Sequence, residues 1–263
     1  MENLVQAVER ARAQRQQSSG EARRRALTTT PIEYTHTRVV RVPREVLEAN
    51  RILCGNSSEA LQPYKVLRTR ISQRMRQNGW KTLGITSARP HEGKTLTAIN
   101  LAISLAMEQQ QTVLLVDADL RRPALHARFR LPRDKGLADH LMHGTPVEDT
   151  LVHPGISRLV LMPGSAPQHS SSELLASPRM LQLVDELRSR YPNRLVLFDL
   201  PPILAGDDVV AFAPYIDAML LVVEEGSTPL KDLEQIQTLL QGVELIGTVL
   251  NKSVDEDTGY GYY

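Results

Sequence analysis

Leu83-Gly84-Ile85-Thr86-Ser87-Ala88-Arg89-Pro90-His91-Glu92-Gly93-Lys94-Thr95 leads from an apolar run through a polar turn into a segment carrying Leu96, Ile99, Leu101, Ala102 and Leu105 at helical spacing. A Gly-Lys-Thr tripeptide between a strand and a helix is the context of a phosphate-binding loop. Loop N–H groups and the open donors of the helix N-terminus converge on phosphate oxygens, and the helix dipole favours their charge. The candidate binding residues are therefore Ser87, Ala88, Arg89, Pro90, His91, Glu92, Gly93, Lys94 and Thr95. Gly93 permits close backbone approach, Lys94 is placed for the β- and γ-phosphates, and the Thr95 hydroxyl for magnesium. Ala88 stands where such loops usually begin with glycine, and His91 reads as solvent-facing. A Gly-Lys-Thr tripeptide is common, so the strands that follow decide the reading.

Beyond Trp80 apolar runs alternate with helical patterns. Strands are expected at Thr82–Thr86, Thr112–Val116, Leu159–Met162, Leu195–Phe198, Ala218–Val223 and Leu245–Leu250, most of them buried on both faces. Helices are expected at Lys94–Gln109, Ser172–Tyr191, Asp207–Tyr215 and Thr228–Gln241, with Ser172 as an N-cap. The pattern predicts an α/β fold, a doubly wound and mainly parallel sheet with helices on both faces and ligands at the carboxyl ends of its strands. Ahead of it, a short helix over Arg44–Cys54 and a second with Leu61, Tyr64, Leu67 and Ile71 on one face run to a stop at Gly79. Residues 1–43, with Arg23-Arg24-Arg25, read as a flexible basic arm, 44–251 as the nucleotide domain and 252–263 as a tail.

Two strands end in acids. Val113-Leu114-Leu115-Val116-Asp117-Ala118-Asp119-Leu120-Arg121-Arg122-Pro123 closes on paired carboxylates that, two residues apart, can both approach the phosphate pocket. Asp-x-Asp after a strand serves equally well as a turn or a helix cap. Leu195-Val196-Leu197-Phe198-Asp199-Leu200-Pro201-Pro202 places one acid where a magnesium-holding aspartate is expected. Lys94, Asp117, Asp119 and Asp199 are the catalytic candidates, and Thr95, Asp117 and Asp199 the metal candidates.

Loop, paired-acid strand and single-acid strand, in this order, resemble the deviant-Walker ATPase superfamily. Asp-Ala-Asp-Leu-Arg-Arg-Pro and Asp-Leu-Pro-Pro resemble the bacterial tyrosine kinases of capsule and exopolysaccharide synthesis, over about residues 59 to 263. The resemblance implies ATP and magnesium as cofactors, and an adenine-facing role for Asn251, which a strand-end turn would also explain. Tyr64 to Ile71 is similar to that family's assembly helix, which implies a homo-oligomer; Arg68 is kept, whereas Gln62 and Lys65 replace the expected glutamate and arginine. Lysine lacks arginine's bidentate fork.

Three of the seven tyrosines, Tyr260, Tyr262 and Tyr263, fall in the last four residues, in a polar tail unsuited to burying rings. The family's tail tyrosines are autophosphorylated, and a tail at the far end of the fold implies transfer to a neighbouring subunit. A phenol of pKa about 10 needs a base, Asp117 or Asp119. The resemblance further implies a membrane polysaccharide co-polymerase as a separate activator and a cognate tyrosine phosphatase. The competing expectations are a positioning or partitioning ATPase switch, against which Arg89 or Pro90 stands in place of an early loop lysine, and a nucleotide-bound scaffold, which has no need of all five of Lys94, Thr95, Asp117, Asp119 and Asp199.

Composition bounds these readings. In 263 residues, 31 basic and 30 acidic side chains give a net charge of +1, so no global field attracts nucleic acid. The single cysteine, Cys54, excludes an intramolecular disulfide. His126, His140, His143 and His153 lack metal-ligand spacing. No apolar run reaches the roughly 20 residues of a membrane span, and no signal peptide is seen. A cytoplasmic chain, peripheral at the inner membrane through its partner, is the expectation.

Overall fold

The computed structural model describes residues 37–53, 59–191 and 193–253. The basic run at Arg23–Arg25, Cys54 and the tail tyrosines Tyr260, Tyr262 and Tyr263 lie outside them.

The strands are β1 (Arg38–Val39), β2 (Thr82–Ser87), β3 (Thr112–Asp117), β4 (Val152–His153), β5 (Leu159–Met162), β6 (Arg194–Asp199), β7 (Ala218–Glu224) and β8 (Leu245–Asn251). They form one sheet in the order β1-β4-β5-β3-β6-β2-β7-β8, parallel throughout except where β4 meets β5. β1 and β4, two residues each, were not expected, because two residues carry no periodicity. The fold thus begins ahead of Arg44: Val40 N donates to His153 O at 2.9 Å.

Strand parity assigns the two faces. Odd positions Leu83, Ile85, Val113, Leu115 and Leu197 pack with Ala98, Ile99 and Ala102 of the helix Lys94–Ala106 and, behind it, Ile71 and Met75 of the helix Gln62–Asn78. Even positions Leu114, Val116, Val196 and Phe198 pack against Met180, Leu183 and Leu187 of the helix Pro178–Ser189 and Phe212 of the helix Asp208–Phe212. Phe198 meets Phe212 edge-on at 5.0 Å. The helix Lys94–Ala106 is covered by sheet on one side and helix on the other, which is why it is apolar nearly all round. β8 is an edge strand and, unlike the others, alternates between buried and exposed positions.

The segment expected as one helix from Ser172 is two, Ser171–Leu175 and Pro178–Ser189. Pro178 suits a first turn and no interior, and Ser177, not Ser172, caps it, its Oγ accepting Met180 N at 3.2 Å. Arg68 is engaged within its own chain: Nη1 donates to Ser104 O at 3.2 Å and Nε lies 3.6 Å from Glu108 Oε1. Among the described residues no helix is long and apolar enough to cross a membrane.

At the opposite end of the sheet from the loop, Asp217 Oδ2 accepts Lys81 N, Thr82 N and Thr82 Oγ at 2.8, 2.9 and 2.7 Å, and Oδ1 pairs with Arg188 at 3.1 Å. Asp217→Ala strands these donors, and is expected to cost about 2–4 kcal/mol in chemical denaturation.

Candidate nucleotide site

β2 ends at Ser87 and the helix starts at Lys94, so the loop between them is held by its own side chains. Ser87 Oγ donates to Arg89 O at 2.8 Å. Glu92, buried, accepts Arg89 N at 3.0 Å through Oε2 and Thr228 Oγ at 2.6 Å through Oε1. Asn251 Nδ2 donates to Glu92 O at 2.8 Å. The Arg89 guanidinium leaves the loop for Asp232, with Nε–Oδ2 at 2.5 Å and Nη2–Oδ1 at 3.3 Å. The loop is thereby tied to β8 and to the helix Leu230–Leu239. Ala88 is fully buried, whereas Pro90 and His91 are exposed, as expected for His91.

Gly93 has φ 98°, and a Cβ there would lie 2.1 Å from Asn251 Nδ2. Gly93 also precedes the first helical turn, which has no side-chain cap bond and so keeps its N–H groups for a ligand. One expected donor is lost to this role: Arg89 N is spent on Glu92.

Lys94 turns back over the strand ends. Its Nζ lies 2.8 Å from Asp119 Oδ2, 3.5 Å from Asp199 Oδ1 and 3.3 Å from Thr95 Oγ. Burial alone would lower the pKa of this ammonium, but the carboxylates of Asp199 and Asp119 outweigh it and hold the group above its ordinary value.

Asp117 and Asp199 are register partners on neighbouring strands, both fully buried on the face covered by the helix Lys94–Ala106. Burial, with the Asp199 carboxylate beside it, pushes Asp117 up to about 8 against the opposing Leu125 N–H and Lys94. Asp199 is likewise raised by burial, Lys94 opposing.

The paired acids do not share one role. Asp117 Oδ2 accepts Ala124 N and Leu125 N, both at 2.9 Å, and thus caps the short helix Leu125–Arg128; its Oδ1 has no hydrogen-bond partner among the described residues. Asp119 accepts Arg122 N through Oδ1 and turns Oδ2 to Lys94. Asp119 lines the cavity with Lys94 and Thr95, and Asp117 lies beneath it.

A lysine folded back between strand-end carboxylates at the start of a helix defines a nucleotide-binding protein of the phosphate-loop class. The domain family described as CobQ/CobB/MinD/ParA nucleotide binding domain matches residues 83–260, and a cell-division ATPase MinD of Pyrococcus furiosus superposes with a TM-score of 0.56 at 26% identity, over 67% of this chain and 74% of that one. Within that class the chain belongs to the bacterial tyrosine-protein kinases. It is 34% identical over 227 residues to tyrosine-protein kinase YwqD of Bacillus subtilis, covering 85% of this chain and 92% of that protein. It is 32% identical to the putative tyrosine-protein kinase EpsB of Ralstonia solanacearum over 90% of this chain, but spans only 31% of EpsB. The kinase domain of Escherichia coli tyrosine kinase ETK superposes with a TM-score of 0.70 at 28% identity, over 86% of this chain and 94% of that one.

Thr228 and Asp232, which fix the loop, escaped sequence reading because they lie more than 130 residues from it. The available hints were a glutamate inside a phosphate loop and an acid spaced with Ile236 on the buried face of the helix Leu230–Leu239.

Two outcomes follow. Gly93→Ala is expected to abolish nucleotide binding measured by calorimetry, since the Asn251 tie and the added methyl cannot coexist. In ligand-free protein with chelator, the raised Asp117 contributes stability that is full below an ordinary carboxylate pKa of about 4 and is lost as pH rises through about 8. The unfolding midpoint should therefore fall from pH 5 to 8, and Asp117→Asn should flatten that fall.

Proposed function

We propose that this kinase is an ATP-dependent tyrosine autokinase of capsular or extracellular polysaccharide synthesis or export, and that it phosphorylates Tyr260, Tyr262 and Tyr263 of a neighbouring copy. The observation that carries the chemistry is Lys94 Nζ, 2.8 Å from Asp119 at the mouth of the loop. The biological setting is supported by a relative named succinoglycan biosynthesis transport protein ExoP, of Rhizobium meliloti, 34% identical over 185 residues.

The residues fit a magnesium–ATP ligand. Thr95 sits at the first turn beside Lys94, Asp199 lies within reach of the same ammonium, and the buried Asp117 Oδ1 keeps an open acceptor. Thr95 and Asp199 would hold the metal, with Asp117 behind them, and magnesium when bound offsets charge on the transferring phosphoryl group. Asn251 lies against Glu92 on the β8 side, which supports a reading with the adenine seated there and the γ-phosphate toward β3. Lys94 binds the phosphate oxygens, which frees Asp119 to accept the phenolic proton. The phenolic oxygen bonds to the γ-phosphorus as its bond to the bridging oxygen breaks, and ADP leaves.

The activator in this reading is a membrane polysaccharide co-polymerase encoded separately, with a tyrosine phosphatase as the reverse enzyme, and the chain works as an oligomer at the inner membrane. The assembly helix departs at Gln62 and Lys65, and its kept Arg68 is already bound to Ser104 and Glu108.

Incubation of the full chain with magnesium and ATP should place phosphate on the last peptide, read by mass spectrometry, and Lys94→Met should lower the rate by about 100-fold or more. ATP consumed with no phosphotyrosine would select the ATPase switch instead. When a Lys94→Met chain is mixed with an active chain whose three tail tyrosines are phenylalanine, phosphate is expected on the Lys94→Met chain; its absence overturns transfer between copies.

A further inference from the structure

The cavity over the loop, about 600 Å³, is strongly cationic: Arg51, Lys94, Arg121, Arg122, Arg128 and Lys252 line it against the single carboxylate of Asp119. Three of these cations are already answered. Lys94 pairs with Asp119, Arg121 with Asp208 at 2.8 Å, and Lys252 with Glu224 at 2.9 Å. Arg51, Arg122 and Arg128 have no ion pair among the described residues, and Arg51 and Arg122 are exposed. Like charges gathered on one rim repel each other and raise the local concentration of anions.

The position of these groups separates them from the nucleotide. Lys252 follows β8, while Arg122 and Arg128 follow β3, and in the sheet these strands lie on opposite sides of β2, which feeds the loop. The loop N–H groups and Lys94 serve the phosphates, so the arginines stand on the side of Asp119, where the acceptor phenol must enter. In the chain's own tail, Asp255-Glu256-Asp257 precedes Tyr260 by three to five residues. In extended chain that separation is about 10–18 Å.

We propose that Arg122 and Arg128, with Arg51 at the rim, dock carboxylates upstream of the acceptor tyrosine, so that the enzyme selects tyrosines preceded by acidic residues, its own Asp255–Asp257 segment first. This rests on the kinase reading above and adds its substrate class. Arginine suits the task because its planar fork binds carboxylate in two places.

The test uses the full chain as enzyme and two synthetic acceptors, a peptide of residues 253–263 and the same peptide with Asp255→Asn, Glu256→Gln and Asp257→Asn. At low salt kcat/KM for the acidic peptide should exceed that for the neutral one by about tenfold, and the ratio should shrink as salt screens the rim. In Arg122→Ala/Arg128→Ala the ratio should collapse toward one, and Arg122→Glu should favour a peptide with lysines at 255–257. Equal use of both peptides by the unaltered enzyme overturns the proposal, as does a double variant that slows both peptides in the same proportion. If ATP is turned over and neither the peptides nor the tail gain phosphate, the kinase reading fails and this one with it.

Discussion

The ammonium of Lys94 is nearly buried, and a buried charge is tolerated only when it is paired. The surrounding architecture satisfies that constraint. β3 and β6 are neighbours in register, so Asp117 and Asp199 arrive side by side beneath the helix start, and Asp119 reaches over from the turn beyond β3. Burial, with three acids gathered around one lysine, raises the proton affinity of Asp117 and Asp199. In the proposed function, ligand phosphates would draw the lysine one way and a metal ion would answer the acids.

A phosphate loop must also keep its shape before its ligand arrives. Here Glu92, Thr228 and Asn251 lock the middle of the loop, and Arg89 with Asp232 anchors its start. These ties place the loop, the last strand and the helix Leu230–Leu239 in one hydrogen-bonded unit. Preorganised N–H groups cost no reorganisation when charge develops on the phosphoryl group.

Much of this was legible in the sequence because it is local. The buried parallel strands were readable from continuous apolar runs, and the loop from its strand–turn–helix setting. The interruption at Pro178 was legible in principle, since proline cannot sit inside a helix, yet apolar spacing on both sides masked it. β1 and β4 were not legible, because two-residue edge strands exist only through the pairing that creates them. The different fates of Asp117 and Asp119 were hidden for a similar reason: spacing gives the face of a strand, but the cap on Ala124 and Leu125 depends on how the chain turns after Pro123.

The sequence by itself determined the six longer strands, the mainly parallel sheet and the groups proposed to bind and transfer a phosphate, since each rests on periodicity or on a motif a few residues long. The tertiary structure alone decided which carboxylate meets Lys94, which donor of the loop is already spent, and which arginines line the same cavity as that lysine with no ion pair among the described residues. Those outcomes depend on contacts between segments up to about 160 residues apart, such as Asn251 with Glu92, and electrostatic energy follows distance in space and burial, which spacing along the chain does not reveal.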